Sequence, residues 1–365
     1  MKLLYITNGI TGSGGLERVL SIKASYLAEN LSYEVVILTL NEEELQPFFD
    51  FSPKIKHISI VVNGNSITYI YKYISKIYKT IQDIKPDVIS VCDDGLKGFF
   101  IPIICQKKYP IVYERHVSKL IELGKNPSRF KKFMTGLKYK LMNKLGATFD
   151  VFIVLTPDNA KEWSLQNLEV IPNPLTFYPK QSATLNTKKI IAVGKHSLQK
   201  GFDRLLPACA KVFENNTDWV LEIYGKISES EGLSALANSL GIANKVFFFP
   251  PNKDIQSKYL ESSIYVMSSR FEGFGTVLIE AMACGVPCVT FDCPYGPANI
   301  VSNDIDGLVV KNHDVGALAR AIKKLIENDA LRLKMGKKAK VNVLRYLPET
   351  VIPMWHSLFH NIKKQ

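Results

Sequence analysis

The chain contains 365 residues and has a mass of 41.0 kDa, more than one hydrophobic core usually organises, so two domains are expected. Hydrophobic residues make up 46% of the chain and charged residues 22%, a globular balance that excludes a largely disordered protein. The net charge of +12 is uneven: residues 52–144 hold 18 lysines and arginines against 6 acidic residues, while the charges elsewhere balance. The basic excess therefore belongs to one part of the chain.

Six cysteines lack the paired spacing of a disulfide framework, and no cluster with histidine completes a zinc site. This usage favours a reducing compartment and no bound metal. The first residues turn polar too soon for a signal peptide, and no apolar run approaches the ~20 residues that a membrane-spanning helix needs. We therefore expect a cytoplasmic protein.

Short apolar runs rich in β-branched residues alternate with helical segments along the chain. Predicted strands of the first half fall at 3–7, 34–40, 87–92, 111–114 and 151–155. After a polar stretch near 178–187, further strands are predicted at 189–193, 220–224, 246–249, 264–267, 288–291 and 308–310. This alternation predicts an α/β fold with two parallel, doubly wound sheets. The predicted domains are residues 1–178 and 186–348, and a last helix near 349–365 is expected to cross back to the first domain.

The first strand is followed by a glycine-rich loop at residues 8–15, before a helix. Glycines let the backbone approach a ligand closely, and a helix N-terminus attracts phosphate. The loop does not have the Gly-x-Gly-x-x-Gly spacing, because Glu17 stands where the third glycine would be, and it is not a Walker loop. A plain strand-to-helix turn is the alternative interpretation.

Two lysines, Lys195 and Lys200, occupy the loop that follows the predicted strand 189–193. A lysine acts as a compact charge on phosphate, and two at one strand end would suit a diphosphate and its departure. Two ordinary surface lysines are the alternative.

The most informative segment is residues 268–287, which contains two glutamates eight positions apart. If a helix begins near Gly275 or Thr276, Glu272 lies in the loop before it and Glu280 projects from its early turns. The amides of residues 273–276 would then point at an anion. A carboxylate such as Glu280 suits the neighbouring hydroxyls of a ribose.

These residues resemble the family-4 retaining glycosyltransferases of the GT-B fold. The pair Glu272 and Glu280, followed by Ala-Met-Ala-Cys-Gly-Val-Pro, is similar to that family's two glutamates and the run after them. The resemblance covers most of the chain and implies two Rossmann-like domains that face each other across a cleft. Two departures stand out: Lys195 replaces the usual arginine, and a proline at the loop after Phe249 replaces a glycine found in many relatives.

The resemblance also implies residue roles. Glu272 would contact the donor sugar, and His116, at the end of a first-domain strand, would be a second catalytic or sugar-contacting residue. Glu114 and Arg115 would lie on the acceptor side. The implied donor-binding residues are Gly15, Lys195, Lys200, Gly225, Pro251, Asn252, Gly273, Phe274, Gly275, Thr276 and Glu280.

The implied enzyme is a hexosyltransferase that moves a hexose or N-acetylhexosamine from a nucleotide sugar, expected to be a UDP-sugar, to a saccharide or lipid-linked acceptor in polysaccharide biosynthesis. No cofactor or metal is expected, since the spacing of Asp304 and Asp306 is interpreted as a loop coincidence. Two alternatives are a catalytically silent nucleotide-sugar-binding protein and an NAD-dependent oxidoreductase. The oxidoreductase lacks its glycine fingerprint and leaves the glutamate pair unexplained.

Residues 119–144 contain eight basic residues and one acid, interleaved with aromatic and apolar residues, and 69–84 form a second lysine-bearing aromatic segment. This pattern is typical of a segment resting on an anionic membrane. We expect peripheral association with the inner face of the plasma membrane through the basic N-terminal domain, and no nucleic-acid partner, because no nucleic-acid-binding module accompanies the charge. An ordinary solvated helix is the alternative.

Overall fold

The computed structural model describes residues 1–43 and 45–363, and the chain divides into two compact units. The first unit contains Met1–Lys119, Pro127–Pro174 and the C-terminal segment from Pro348, and the second contains Leu120–Asn126 and Leu175–Leu347. The chain thus passes from the first unit to the second after Pro174. This position is slightly before the polar stretch at which the sequence predicts the domain boundary.

The first unit is built on a parallel sheet of seven strands in the order β3-β2-β1-β4-β5-β6-β7. The strands are β1 (Lys2–Thr7), β2 (Glu34–Leu40), β3 (Lys56–Ile60), β4 (Val88–Cys92), β5 (Ile111–Glu114), β6 (Val151–Val154) and β7 (Leu168–Val170). The helices are α1 (Gly15–Asn30), α2 (Ser66–Ile84), α3 (Ile101–Ile104), α4 (Arg129–Gly146), α5 (Pro157–Ala160) and, from the C-terminal segment, α13 (Pro348–Lys363). A short 3-10 helix at Lys97–Phe100 completes it, and a second one, Lys119–Glu122, begins at the last residue of the segment Met1–Lys119 and continues into Leu120–Asn126 of the second unit.

Side chains of this sheet alternate between two cores, as the pleat requires. On β1, Leu3 and Tyr5 pack with α1 and α13, whereas Leu4 and Ile6 pack with the buried sides of α2, α3 and α4. Trp355 and Phe359 of α13 are buried in the first of these cores. The last helix therefore belongs to the first unit.

The second unit has a parallel sheet of six strands in the order β10-β9-β8-β11-β12-β13. The strands are β8 (Lys189–Val193), β9 (Val220–Tyr224), β10 (Val246–Phe249), β11 (Ile264–Met267), β12 (Cys288–Asp292) and β13 (Gly307–Lys311). The helices are α6 (Phe202–Phe213), α7 (Leu233–Ser239), α8 (Ile255–Leu260), α9 (Thr276–Ala283), α10 (Pro297–Ile300), α11 (Val315–Ile326) and α12 (Asp329–Asn342). Short 3-10 helices lie at Glu229–Glu231, Ala243–Lys245 and Val343–Tyr346.

Strand order reverses once in each sheet, between β1 and β4 in the first unit and between β8 and β11 in the second. Loops that leave two neighbouring strands in opposite directions open a crevice at such a switch point, where ligands of parallel sheets bind. The predicted functional loops at residues 8–15, 194–201 and 268–275 follow three of these four strands, β1, β8 and β11 respectively. Within the described residues, no helix is both long and apolar enough to cross a membrane.

Candidate active site

The switch point of the second unit brings two predicted site residues together. Lys200, in the loop after β8, and Glu272, in the loop after β11, form an ion pair with 2.7 Å between Lys200 Nζ and Glu272 Oε1. Their side chains are 17% and 7% exposed, so the pair is largely shielded from water. A cation and a carboxylate therefore meet at the edge of the sheet where a ligand is expected.

Glu272 is held from three sides. Ser269 Oγ donates to Glu272 Oε1 at 2.6 Å, the same oxygen that Lys200 contacts. The Glu272 backbone N–H donates to the carbonyl of Pro294, in the loop after β12, at 2.7 Å. Fixed positions of this kind lower the reorganisation that a catalytic carboxylate needs.

Lys195 lies in the same loop as Lys200, and its side chain is exposed. The loop is anchored to β9 by the Gly194 N–H, which donates to the Tyr224 carbonyl at 2.8 Å. A Cβ at Gly225 would stand 2.0 Å from the Gly194 carbonyl oxygen. Only glycine at position 225 therefore lets the loop that carries both lysines lie this close to the end of β9.

A second ion pair, which the sequence analysis did not include, joins the two site loops. Arg270 Nη1 and Nη2 contact Asp203 Oδ1 and Oδ2 at 2.7 and 2.6 Å, the two-pronged geometry that arginine favours. Arg270 also donates its backbone N–H to the Gln199 carbonyl at 2.8 Å. Burial raises the pKa of Asp203, but the Arg270 guanidinium outweighs it and the net pKa is lowered. The sequence contained two signals of this ion pair: Asp203 is an acid in the first turn of α6, and Arg270 stands two residues before Glu272.

Glu280 projects from the second turn of α9 and is buried. Its Oε1 accepts a hydrogen bond from Thr176 Oγ1 at 3.0 Å, and its Oε2 accepts one from the Tyr259 hydroxyl at 3.3 Å. Neither partner could be identified from the sequence, because Thr176 lies 104 residues and Tyr259 lies 21 residues upstream of Glu280. The carboxylate is thus oriented by side chains from two other segments.

The start of α9 lies where the sequence predicts it. Gly275 is the N-cap, with φ +107°, a backbone conformation that side chains rarely adopt, and the helix begins at Thr276. Gly273 and Phe274 precede it and are buried, with the Phe274 ring packed edge-on against Tyr346 at 5.4 Å between centroids. Phe274 therefore acts here as a packing residue.

Pro251 and Asn252 follow β10, the edge strand of the same sheet, and both are partly buried. Asn252 Oδ1 accepts from the Asp254 N–H at 2.9 Å, which closes a short turn before α8. This loop leaves the same carboxyl edge as the two lysine and glutamate loops, two strands away from β8.

In the first unit, His116 follows β5 and is held by a buried carboxylate. His116 Nε2 lies 3.2 Å from Glu114 Oε2, an arrangement in which Nε2 donates, while His116 Nδ1 has no hydrogen-bond partner among the described residues. Glu114 also pairs with Lys23 of α1 and accepts from Ser90 Oγ at 2.5 Å. Burial raises the pKa of Glu114, but the Lys23 ammonium and His116 outweigh it and lower the pKa to about 2.

Glu114, the last residue of β5, and Arg115, which follows it, are the residues that the resemblance places on the acceptor side. Both side chains are completely buried. Arg115 Nε donates to the Val117 carbonyl at 2.9 Å, and Arg115 Nη1 lies 3.8 Å from Asp94 Oδ1. Glu114 contacts His116 and Arg115 lies beside Asp94, and the acceptor-side position of both residues stays a prediction.

The glycine-rich loop after β1 is organised around Glu42 rather than left open. Glu42 Oε2 accepts from the Ile10 N–H at 2.8 Å, and Oε1 accepts from the Thr11 N–H at 3.2 Å and from Thr11 Oγ1 at 2.5 Å. A carboxylate thus occupies amides that a phosphate could have used. Gly15 is exposed at the first position of α1, with Gly14 as its N-cap. The end of this loop, not its middle, remains accessible.

Among residues 1–43 and 45–363, one group of side chains has metal-binding geometry: potential ligand atoms of Cys92, Glu114 and His116 all lie within 4.8 Å of one another. The Glu114 carboxylate already carries the Lys23 ammonium, and burial raises the pKa of the Cys92 thiol well above its usual value. A cation would have to compete with that ammonium and displace a thiol proton, so the donor set fits an ion poorly.

Comparison with known proteins follows the same division of the chain. A family model described as "Glycosyl transferases group 1" matches residues 176–342, and one described as "Glycosyl transferase 4-like" matches residues 16–148. An uncharacterized glycosyltransferase of Haemophilus influenzae is 29% identical over 98% of this chain and 99% of its own length. The amylovoran biosynthesis glycosyltransferase AmsD of Erwinia amylovora is 26% identical over the same shares.

Among solved structures, HepE of Anabaena in complex with UDP and glucose superposes with a TM-score of 0.78 and 18% identity, over 99% of each chain. This likeness shows the fold, GT-B, in agreement with the two parallel α/β sheets described above. The two family models together span most of the chain, including the loops that carry Lys200 and Glu272. The chain belongs to the family-4 glycosyltransferases of the GT-B fold and is an enzyme of glycan or polysaccharide biosynthesis.

Proposed function

We propose that this enzyme transfers a hexose or N-acetylhexosamine, with retention of anomeric configuration, from a UDP-sugar to a saccharide or lipid-linked acceptor. The observation that carries the proposal is the Lys200–Glu272 pair at the switch point of the second unit, with Lys195 exposed in the same loop. HepE, which has the same fold, binds UDP and glucose, and this supports uridine as the base.

In the proposed donor complex, Lys195 and Lys200 hold the diphosphate and the amide groups at the start of α9 face one of its phosphates. Loss of the sugar leaves additional negative charge on the diphosphate, and two ammonium groups at one loop stabilise that charge. The contact of Lys200 with Glu272 then weakens, which makes the Glu272 carboxylate available to the sugar hydroxyls and to the positive charge that develops on the ring.

We propose front-face attack for the transfer step. The bond between the anomeric carbon and the diphosphate oxygen breaks while the acceptor hydroxyl oxygen bonds to the same face of that carbon. The hydroxyl proton passes to the departing phosphate oxygen, so that UDP is the balanced second product. A double displacement would instead require a carboxylate nucleophile beneath the anomeric carbon, whereas the role proposed here for Glu272 is to contact the sugar hydroxyls and the developing positive charge.

The acceptor side is proposed to lie in the first unit, with His116 as a group that contacts the sugar or the acceptor hydroxyl. Its Nδ1, which is buried and has no hydrogen-bond partner among the described residues, is the nitrogen proposed for that contact. We further propose a cytoplasmic enzyme, because all six cysteines are free and buried, as expected in a reducing compartment.

The decisive experiment measures nucleoside diphosphate release from a panel of UDP-, GDP- and dTDP-sugars, with and without a lipid-linked saccharide acceptor. We expect release from a UDP-sugar that increases when acceptor is added. Tight donor binding without release from any donor would instead favour a silent nucleotide-sugar-binding protein.

Two variants test the assigned roles. Lys200→Met is expected to lower turnover by about 10²–10³-fold and to weaken UDP binding, because it removes a charge from the diphosphate. Glu272→Gln is expected to lower turnover by a similar factor while UDP affinity changes little. The matched controls are Lys337→Met and Glu327→Gln, two exposed residues of the same unit. Normal turnover in Glu272→Gln would show that the proposed role of this glutamate is wrong.

A further inference from the structure

The outward sides of α2 and α4 are unusually apolar for a water-facing surface. On α4 the exposed apolar side chains are Phe130, Phe133, Met134, Leu137 and Leu141, of which Phe130 is 73% and Phe133 63% exposed. Their spacing of three and four residues places them in one stripe along the helix. On α2, the stripe is Ile67, Ile70, Tyr71 and Ile74, again at three-and-four spacing, with Ile67 82% exposed.

Both stripes lie on the same side of the first unit. The buried sides of α2, α3 and α4 share one core against one face of the seven-stranded sheet. Lys97, in the short helix before α3, donates to the Tyr69 hydroxyl of α2 at 3.0 Å, which ties these neighbouring segments together. Phe100, at the end of that short helix, and Ile103 of α3, 38% and 57% exposed, add apolar surface between them. We call this set of outward side chains on α2, α3 and α4 the apolar face.

The charge on the helices of the apolar face is predominantly positive. Helix α4 contains six basic residues and no acidic residue, and α2 contains three lysines and one aspartate. Arg129, Lys140 and Lys144 project from one flank of the α4 stripe, where their ammonium and guanidinium groups can reach past the apolar side chains. A predominantly basic rim around exposed aromatic and aliphatic side chains is complementary to an anionic surface that is apolar beneath.

We propose that the apolar face docks the first unit on an anionic lipid bilayer, with the stripes of α2 and α4 inserted at the headgroup boundary and the flanking lysines on lipid phosphates. The inference rests on the proposed function, because a lipid-linked acceptor lies at that boundary. It narrows the basic region predicted from sequence: Lys119 is buried, with Nζ 3.7 Å from the Trp163 ring and 2.7 Å from the Glu162 carbonyl oxygen, and it does not belong to the surface.

The test is sedimentation of the full chain with vesicles of phosphatidylcholine alone or with 30% phosphatidylglycerol. We expect binding only to the anionic vesicles at low salt. The double variant Phe130→Ser/Phe133→Ser should bind them at least about tenfold less, since two large apolar side chains no longer leave water. Lys140→Gln/Lys144→Gln should lose about fivefold for each charge removed and show a weaker salt dependence.

Matched controls come from α12 in the second unit, which is also basic and carries exposed apolar residues. Leu333→Ser/Val341→Ser and Lys334→Gln/Lys337→Gln are expected to bind vesicles as the unmodified chain does. UDP affinity should be unchanged in all four variants, which separates failure of docking from failure of the proposed donor chemistry.

Three results would overturn the proposal. The first is equal binding to neutral and anionic vesicles, and the second is unchanged binding of both α4 variants. The third is a concentration-dependent dimer, seen by light scattering, that Phe130→Ser/Phe133→Ser abolishes, because the occupant of the apolar face would then be a second copy of the chain.

Discussion

The buried pair Lys23–Glu114 connects stability with the predicted catalytic histidine and is the contact whose removal should be most informative. The two side chains are 1% and 0% exposed. Lys23 Nζ also lies 3.8 Å from the centre of the Trp355 ring of α13, and Glu114 contacts His116. We expect Lys23→Met, which keeps most of the volume, to leave the Glu114 carboxylate buried without its cation.

The complete burial of both partners determines how much Lys23→Met should lower the free energy of unfolding. Breaking a fully buried ion pair by removing one partner costs about 3–5 kcal/mol, a large fraction of the 5–15 kcal/mol that stabilises an ordinary domain. Removing both charges, in Lys23→Met/Glu114→Gln, should cost clearly less than Lys23→Met alone, because no unpaired charge is left. The exposed pair Lys324–Asp304, at 3.2 Å, provides the control: Lys324→Met should change the unfolding free energy by less than about 1 kcal/mol.

The assay is urea unfolding at pH 7, followed by circular dichroism and by tryptophan fluorescence, since Trp355 lies beside the pair. UDP release is measured on the same samples with a saturating donor. Lys23→Met is expected to lose activity beyond its loss of folded protein, because the orientation of His116 depends on Glu114. If Lys23→Met unfolds at the same urea concentration as Lys324→Met, the Lys23–Glu114 pair does not contribute the expected ~3–5 kcal/mol to the free energy of unfolding.

Three further outcomes are expected. The folded-state pKa of Glu114 is lowered to about 2, below its ordinary 4.5. The contribution of Glu114 to stability is therefore present above pH 4.5 and is lost as the pH falls towards 2. Acid titrations followed by circular dichroism should show this loss of stability, and Glu114→Gln should reduce it. Ser269→Ala removes the 2.6 Å donor to Glu272 and should lower turnover about tenfold with UDP affinity nearly unchanged, and Ser269→Thr should restore it, whereas an unaffected Ser269→Ala would refute the positioning role. Gly225→Ala should destabilise the fold by about 1–3 kcal/mol in thermal unfolding, whereas Gly136→Ala, which meets open space on α4, should stabilise it by about 0.5–1 kcal/mol.

Most strands and the order of the functional loops could be predicted from sequence because they depend on local periodicity, whereas the edge strands β3 and β7 of the first sheet were not predicted. The start of α9 is an example: Gly275 marks the turn, Thr276 begins the helix, and Glu272 falls in the loop before it. Motif spacing likewise identified Lys200. The spacing could not indicate that the Lys200 ammonium contacts Glu272, which lies 72 residues away in the chain.

The partners of each site residue required the tertiary structure. Thr176 and Tyr259, which orient Glu280, and Asp203, which pairs with Arg270, come from segments distant in the chain and have no local signal of their role. The same limit applies to the burial of Glu114, which depends on α1 and β4 packing over the end of β5.

Sequence alone determined the family-like loops, the α/β alternation and the uneven charge, since each of these is a property of neighbouring residues. Only the tertiary structure decided which charges meet and which are left to solvent: Lys119 turned inward onto Trp163, whereas Phe130 and Phe133 turned outward. The physical reason is that burial depends on which faces of the helices the sheet covers, and strand order, which sets that coverage, is a long-range property of the chain.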